Sequence, residues 1–521
     1  MNYHDLIPRL AGACIHDHQI RNLDLLLEAS AQFSRAAGIE CPLHPPVVRE
    51  TAVIESGHQP NFLPYPGIFK KAFLLDSIIR TAADHGIHAI GVFGFADQNL
   101  STAPILSANR VPSMTRDGFE KIGFKIGEDQ HWNQFCTIGK PPRDVWERKM
   151  VQVTDFYEKA FRDIRSKDRS MHERIGQLIE ICSSCYARAE NFADLNAFIF
   201  AAFCQHYLGI QTLFYFRYSD VYKNNIFVYE GKKLAANRET YIEAHNRALA
   251  MHAVDDPRPL GLNHIPFWYH CTCGRKLELL STDSTLWTGH CDGCKREYAI
   301  EMDPGLPRFD ALYKNLGCTA ISRNLVFSEG LGVRIFISGT GGSLRYGMVS
   351  DFIGKEIKFC TPLAICWGGR DYYLGLQHQK AMDSLKNIFS LEDEDFTGSD
   401  LNSRVSLSLA EIDRELNTWR GDLGNEAELK KLSGRRKNAI TQAGISKKLF
   451  SVTPSMLDLL VSVDPREILS KWQEAVRRGS FTGDGRAMKL LENCAYQGSH
   501  GFIPRSIPPI FQAMNRLEVN P

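Results

Sequence analysis

The stretch Thr51–Ile78 limits the fold more than any other part of the chain. It opens with a short β-prone run, which a Gly-His-Gln-Pro turn interrupts, and from Gly67 onward apolar residues recur at helical spacing. A strand, a glycine turn and a helix in this order are typical of an α/β sheet, which presents polar side chains at the carboxyl end of a strand. The turn is either a satisfied loop or part of a ligand site. Its candidate ligand-binding residues are Gly57, His58, Gln59 and Asn61.

Beyond this stretch, the chain alternates β-prone runs with segments of helical periodicity. The apolar run Ile87–Phe95 contains two glycines, a pattern typical of a strand buried on both faces of a parallel sheet. Further strands are predicted at Gln211–Tyr218, Val333–Ser338 and Ile357–Ile365. Helices are predicted at Asn22–Ala37, Val145–Arg165, Met171–Tyr207, Asn237–Met251 and Pro307–Asn315. This alternation predicts an α/β fold with a doubly wound, parallel, Rossmann-type sheet.

Composition narrows the functional classes. The 521 residues carry a net charge of +1, so no bulk field attracts nucleic acid or an anionic membrane. We expect no membrane-spanning helix, because no uncharged apolar run reaches about 18 residues, and no secretory signal, because the N-terminus lacks an apolar region. The 14 cysteines are scattered apart from one tight group. This usage favours a reducing, cytoplasmic compartment.

Polar residues follow several of the predicted strands. Asp97 and Asn99 come after Phe95, and a Gly-Thr-Gly-Gly-Ser turn comes after Ser338. The carboxyl ends of parallel strands meet at one edge of a sheet, so we expect these groups to converge there. A glycine turn before a helix suits a phosphate or carboxylate, and the alternative is a tight turn without a ligand. For Arg323 and Arg370, the alternative to binding an anion is a buried salt bridge. The further candidates are Arg323, Asn324, Gly339, Gly341, Gly342, Ser343 and Arg370.

Two cysteine pairs form the most specific local motif. The pairs are separated by seventeen residues and consist of Cys271, Cys273, Cys291 and Cys294. Such thiolates provide the tetrahedral site that Zn²⁺ prefers, and Gly274 and Gly293 allow a tight turn in each knuckle. The neighbouring His270 and His290 could substitute for a thiolate, and a redox dithiol is the other alternative. Because a closed Cys₄ site leaves no position for water, we predict a structural zinc.

We find no motif of covalent catalysis. The chain has no G-x-S-x-G sequence, no papain-like cysteine context and no H-E-x-x-H sequence. Cys182 and Cys185 are three residues apart on a predicted helix. They fit a second metal or redox pair, or two buried core residues.

After Tyr373 the chain becomes helical. Apolar residues from Val405 to Trp419 keep a spacing of three to four, which predicts a paired helix or a coiled-coil hairpin. Tyr372–Phe389 is the candidate partner. The basic patch Lys430–Lys437 is interpreted as a solvated helix face.

The order of these motifs resembles the bacillithiol-biosynthesis cysteine-adding enzyme family over roughly residues 50–450. The segments that carry the resemblance are the Gly57-His58-Gln59 turn, the strand that ends near Asp97, Ile321–Asn324, Phe336–Phe352 and Cys360–Arg370. The resemblance implies a core like that of class I aminoacyl-tRNA synthetases. It implies a ligase that joins L-cysteine or a similar amino acid to an amine of a small amino-sugar acceptor, and a helical region that forms a homodimer.

Carried over by position, the resemblance places the Gly-His-Gln turn where a synthetase has its nucleotide-binding motif. Its candidate catalytic residues are His58, Asp97 and Arg370, and Tyr346 and Asn324 would line the cleft. ATP is an implied cosubstrate, although no Lys-rich K-M-S-K loop is evident. Two departures point to a different substrate: the cluster after the second strand is less acidic than in the family, and the zinc module is an insertion.

The predicted organisation has six segments. They are an N-terminal helical segment (1–50), a Rossmann-like core with a helical insertion (51–260), a zinc ribbon (261–304), the second half of the core (305–371), a helical coiled-coil region (372–470) and a C-terminal tail (471–521). The predicted function is an amino-acid ligase. The alternatives are another nucleotide-dependent transferase, or a zinc-ribbon binding or scaffold protein with a degenerate site.

Overall fold

A mostly parallel β-sheet, covered by helices on both faces, forms the centre of the protein. The computed structural model describes residues 3–44, 46–163, 169–252, 258–283, 285–302, 308–340, 342–397, 400–420, 426–483, 487–497 and 506–518. Within these ranges the central sheet has seven strands. The predicted α/β class is confirmed.

The strands and helices follow one another along the whole described chain. The strands are β1 (Ala52–His58), β2 (Ala89–Phe95), β3 (Ala108–Pro112), β4 (Phe119–Gly123), β5 (Leu213–Arg217), β6 (His264–His270), β7 (Lys276–Ser281), β8 (Leu286–His290), β9 (Glu297–Glu301), β10 (Leu316–Cys318), β11 (Val333–Ser338), β12 (Leu363–Trp367), β13 (Asp371–Tyr372), β14 (Phe481–Gly483), β15 (Ala487–Leu490) and β16 (Cys494–Ala495). The helices are α1 (Asp17–Ala37), α2 (Pro66–Asp84), α3 (Arg143–Asp163), α4 (Arg169–Arg188), α5 (Phe192–Ala202), α6 (Tyr218–Lys223), α7 (Val228–Ala236), α8 (Arg238–His252), α9 (Phe309–Tyr313), α10 (Ala320–Leu331), α11 (Gly342–Ile357), α12 (Leu376–Phe389), α13 (Leu401–Arg420), α14 (Glu426–Ser451), α15 (Met456–Ser462), α16 (Pro465–Arg478) and α17 (Ile507–Arg516).

The strand order defines the topology of the central sheet. In the described chain it is β14-β15-β12-β11-β1-β2-β5, and every neighbouring pair is parallel except β14 with β15. Numbered by appearance, the six parallel strands run 3-2-1-4-5-6, the order of a doubly wound Rossmann-like sheet. Such sheets bind ligands where the order reverses, which here is between β1 and β11.

The two faces of β1 pack against different helices. Ala52 and Ile54 join the apolar cluster that contains Phe69 of α2, whereas Val53 joins the cluster that contains Leu325 of α10. This alternation follows from the two-residue period of a strand. Both clusters consist of buried side chains, so the sheet is the middle layer of three.

Two predicted elements are interrupted. The long predicted helix Met171–Tyr207 breaks before α5, where the Asn191 side chain accepts the N–H of Asp194 and caps a new helix. The predicted strand Ile357–Ile365 begins as the end of α11. Lys358 then takes a positive φ of 57°, which ends the helix, and β12 starts only at Leu363.

The C-terminal region differs from the predicted arrangement. The predicted helix around Val405–Trp419 is α13, and its main partner is α14 rather than α12, which itself packs on α14. At the far end of the hairpin, Ile412 and Leu416 bury against Leu432. The segment predicted as a tail contributes β14 and β15 to the central sheet.

A second, antiparallel sheet follows α8. Its strand order in the described residues is β10-β6-β7-β8-β9, and β6 to β9 with their two knuckles are called the cysteine ribbon below (His264–Glu301). The ribbon lies within the predicted zinc-ribbon segment.

Candidate functional site

A large cavity opens at the carboxyl edge of the central sheet, beside the point where the strand order reverses. Its volume is about 1350 Å³. β1 delivers His58 to its wall and β11 delivers Ser338, and these strands pair with each other over Val53–Ser56. The cavity therefore occupies the position in which doubly wound sheets bind ligands.

Most of the site residues predicted from the sequence line this one cavity. They are Gly57, His58, Gln59, Asn61, Asn99, Arg323, Asn324, Gly339, Tyr346 and Arg370. Gly341 lies outside the described residues. Gly342 and Ser343 form the start of α11, and the Ser343 side chain is outside the described part.

Asp97 does not reach the cavity wall, which separates it from the other predicted catalytic residues. It is 1% exposed and accepts the backbone N–H of Ser219 at 3.0 Å as well as the hydroxyl of the same residue. Burial raises the pKa of Asp97 to about 6. Its carboxylate fastens the end of β2 to α6, which is a positioning role.

His58 presents a neutral imidazole to the cavity. Its Nδ1 lies 3.0 Å from the carbonyl oxygen of Gln59, and because a carbonyl only accepts, Nδ1 carries the proton. Burial, with the nearby Lys71 ammonium, lowers the pKa of His58 to about 3. Nε2 is therefore an unprotonated hydrogen-bond acceptor and a weak base near neutral pH, able to orient an N–H donor and unable to stabilise an anion.

Lys71 is a cavity residue that the sequence did not indicate. It lies on α2, is 5% exposed, and its Nζ donates to the carbonyl oxygen of Gly57 at 2.5 Å. Burial lowers the pKa of Lys71 to about 7. The preceding Lys70 is also buried and pairs with Asp371 at 2.8 Å. Helical lysines usually face solvent, so neither was expected here.

Arg323 lies on the first turn of α10, over the ring of Tyr218, with 4.9 Å from the guanidinium carbon to the ring centroid. Tyr218 in turn needs two glycines beneath it: a Cβ on Gly57 would be 2.6 Å from its hydroxyl, and one on Gly94 would be 2.3 Å from its ring. Gly57, near the end of β1, therefore makes room for the residue that supports Arg323.

Two further polar groups complete the inner wall. Asn61 is 3% exposed and its Oδ1 has no hydrogen-bond partner in the described structure, so a ligand could satisfy it. Arg370 is exposed, and its backbone N–H donates to Asn493 Oδ1 at 2.8 Å. Its guanidinium lies at the rim.

The four ribbon cysteines form a cluster that could hold a metal ion. Their sulfurs all lie within 4.8 Å of one another; the Cys271–Cys294 and Cys273–Cys291 distances are both 3.5 Å. Tetrahedral Zn²⁺ with Zn–S bonds near 2.3 Å requires sulfurs roughly 3.8 Å apart. The cluster therefore fits the metal that the spacing predicted.

Some details of the cluster differ from prediction. Gly274 has the expected positive φ of 91°, but the second knuckle uses Lys295, with a φ of 60°, and Gly293 instead makes room for Arg275. His270 and His290 are not part of the cluster: His270 Nδ1 accepts from Gln98 and His290 Nδ1 contacts Glu297.

Cys182 and Cys185 are buried in α4 and join the apolar core. Among the described residues, the ribbon cluster is the one group found with metal-binding geometry. The core interpretation of this pair is therefore favoured over a second metal site.

The cavity wall also includes residues from outside the core, which no sequence pattern indicated. Trp268 and Lys276 come from the cysteine ribbon, Phe450 from the end of α14, and Gln512 and Asn515 from α17. The parts of the chain that follow the core thus close the site.

No protein-family model matches the chain, and no curated protein matches it. Within the described residues, none of the helices combines the length and the apolar character that crossing a membrane requires.

Proposed function

We propose that the protein is a carbon–nitrogen ligase that joins an amino acid, L-cysteine or a similar one, to the amine of a small acceptor. The observation that carries the proposal is the cavity at the strand-order reversal, where His58 offers an unprotonated nitrogen and Arg323 and Arg370 offer positive charge. An amide-forming site needs a hydrogen-bond acceptor that orients the amine and cations that bind a carboxylate or phosphate.

The motif order that resembles the bacillithiol-biosynthesis cysteine-adding family supports this reaction class. The 3-2-1-4-5-6 strand order is consistent with the implied class I synthetase-like core, in which Gly57 and His58 end the first strand along the chain. A homodimer through α12, α13 and α14 is part of the same proposal.

The chemistry requires an activated carboxyl group, which a nucleoside triphosphate such as ATP would supply. The amino-acid carboxylate attacks the α-phosphorus and pyrophosphate leaves. The acceptor amine, oriented by an N–H that it donates to His58 Nε2, then attacks the acyl carbon. The amide forms, AMP leaves, and the amine proton passes to water. Positioning and electrostatics provide the catalysis, because the mechanism uses no covalent enzyme intermediate.

The ribbon metal in this proposal is Zn²⁺ in a structural role. Four thiolates complete its coordination, so it holds the ribbon and binds no substrate.

Pyrophosphate exchange into ATP, measured with a panel of amino acids that starts with cysteine, tests the first step. Exchange that depends on one amino acid is expected, and silence across the panel would reject the ligase. His58→Gln should leave exchange intact and lower amide formation about 10-fold, because it displaces the acceptor that orients the amine. The control His85→Gln changes an exposed residue of the same region and should leave both steps unchanged.

A further inference from the structure

We propose that the cysteine ribbon forms a wall of the substrate site, where its Lys276 and Arg323 of α10 bind a carboxylate or phosphate group of a substrate. The assignment of that anion to a ligase substrate rests on the function proposed above. The subsite itself rests on the residues that enclose this part of the cavity.

The ribbon reaches the cavity through its first two strands. Lys276 is the first residue of β7 and Trp268 lies on β6, and both are in the cavity wall with Arg323. The N-cap of α10, Thr319, lines the same wall. Two cations and a helix N-terminus thus face one space.

Within the described residues, the two cations have no anionic side chain as an ion-pair partner. In the described chain neither Lys276 nor Arg323 forms an ion pair, although both are half-buried. Asp97 is the nearest carboxylate to act on Lys276, and it is engaged with Ser219. The subsite therefore keeps an excess of positive charge, in a protein whose net charge is only +1.

The carboxyl group nearest to Arg323 does not cancel this charge. Glu55 is 3% exposed, and burial raises its pKa to about 8 even though the Arg323 guanidinium opposes the shift. Glu55 is thus mainly neutral near pH 7. An anion from outside the protein is the group that would balance Arg323.

The ribbon is fixed on the core, so Lys276 has a defined position. The N–H of Gln134, in the segment between β4 and α3, donates to the Gly274 carbonyl at 2.8 Å, and Gln98 Nε2, in the loop after β2, donates to His270 Nδ1 at 3.3 Å. Gly274 lies in the first metal knuckle, two residues before Lys276. A metal-held knuckle therefore positions the lysine without contacting the ligand.

The chemistry of the subsite defines a class of ligand. A guanidinium binds a carboxylate or phosphate in a planar fork, and a lysine adds a point charge. Trp268 adds an aromatic surface beside them. We therefore expect a small anionic molecule. Succinate is a suitable probe for a carboxylate group, and inorganic phosphate is a suitable probe for a phosphate group.

Calorimetric titration of the metal-loaded full chain with succinate, inorganic phosphate and uncharged succinamide tests the subsite. One of the anions should bind and succinamide should not; the preferred anion identifies the group. Lys276→Gln and Arg323→Gln should each weaken binding about 10-fold, which corresponds to about 1.4 kcal/mol, while Lys276→Arg retains it. Lys314→Gln removes the same charge from an exposed position and should bind as the unmodified protein does.

The outcomes separate the subsite from the ligase. Binding of neither anion, or unchanged binding by Lys276→Gln with full metal content, would overturn the subsite even if pyrophosphate exchange occurs. Silent exchange together with Lys276-dependent anion binding would reject the ligase and keep the subsite. Removing the metal with a chelator should weaken anion binding as much as Lys276→Gln does, and unaffected binding would show that the ribbon is no wall of the site.

Discussion

The central sheet and the cysteine ribbon enclose one cavity but are stabilised in different ways. β12 is buried along its full length, between helices on both faces. In the ribbon, β9 alternates between exposed and half-buried residues and has no buried position. Burial of apolar surface stabilises the sheet. The ribbon also buries apolar side chains, and Phe267, Leu279 and Trp287 join an apolar cluster of the core, but its two knuckles meet at four thiols. The metal is therefore expected to hold the two knuckles together.

This difference explains how two unlike elements can share a site. The sheet supplies strand ends and helix turns, whose positions a large apolar core fixes. The ribbon supplies Trp268 and Lys276, whose positions depend on its apolar contacts with the core, on the hydrogen bonds that dock it and on the metal centre. Changes to the two regions should thus have separable effects on stability and on the site.

The largest effect is expected from removing one metal ligand. Cys291 is fully buried, and Cys291→Ser should abolish stoichiometric metal binding, because structural zinc contributes about 10 kcal/mol or more of apparent binding free energy in small domains. The ribbon should then become sensitive to proteases while the sheet stays folded. Metal analysis, limited proteolysis and circular dichroism measure these three properties.

The exposed Cys14 provides the matched control. Cys14→Ser should keep the metal and the protease resistance of the ribbon. Global unfolding of Cys291→Ser would show that the two regions are not stabilised independently, and full metal retention would contradict the four-thiolate site.

A smaller effect is expected from a substitution in the sheet, which should lower the stability of the fold without changing the metal content. Gly94→Ala would place a Cβ 2.3 Å from the Tyr218 ring and 2.7 Å from the Phe216 ring. The free energy of unfolding should therefore fall by about 1–3 kcal/mol. The metal content should stay unchanged. Chemical denaturation measures the loss. A Cβ on Gly176, in α4, would meet no atom within 4 Å, and Gly176→Ala should be neutral or slightly stabilising. Equal losses in both variants would argue against the Tyr218 contact.

The parts of the molecule that the sequence predicted well are those with local patterns. The cysteine spacing predicted the metal cluster, and the apolar runs located β1, β2, β5 and β11 within a few residues. The expectation that the carboxyl ends of parallel strands meet at one edge of the sheet was met by ten predicted site residues, which line one cavity. Each of these signals lies within a short segment of chain.

What could not be predicted depends on contacts between distant segments. Lys276 and Trp268 reach the cavity only because the ribbon docks on Gln98, in the loop after β2, and on Gln134, between β4 and α3. Asp97 follows a strand as expected, yet its carboxylate accepts a hydrogen bond from Ser219 of α6 and does not reach the cavity. Lys71 became a buried cavity residue because the face of α2 that carries it packs on the sheet.

The smallest expected effect concerns the pH dependence of the two regions. Burial raises the pKa of Glu55 to about 8, above its usual 4.5, so between these values the folded sheet holds a proton that the unfolded chain has lost. Glu55 therefore contributes stability at low pH that decreases as pH rises, by at most about 1.4 kcal/mol per pH unit. Metal binding by thiolates has the opposite dependence, since it weakens as pH falls.

Unfolding measured from about pH 5 to 6.5, below the pKa of Lys71, should show Glu55→Gln gaining stability relative to the unmodified protein as pH rises. Glu239→Gln, an exposed control, should show no such trend, and parallel pH profiles for Glu55→Gln and the unmodified protein would exclude a protonated Glu55 in the sheet.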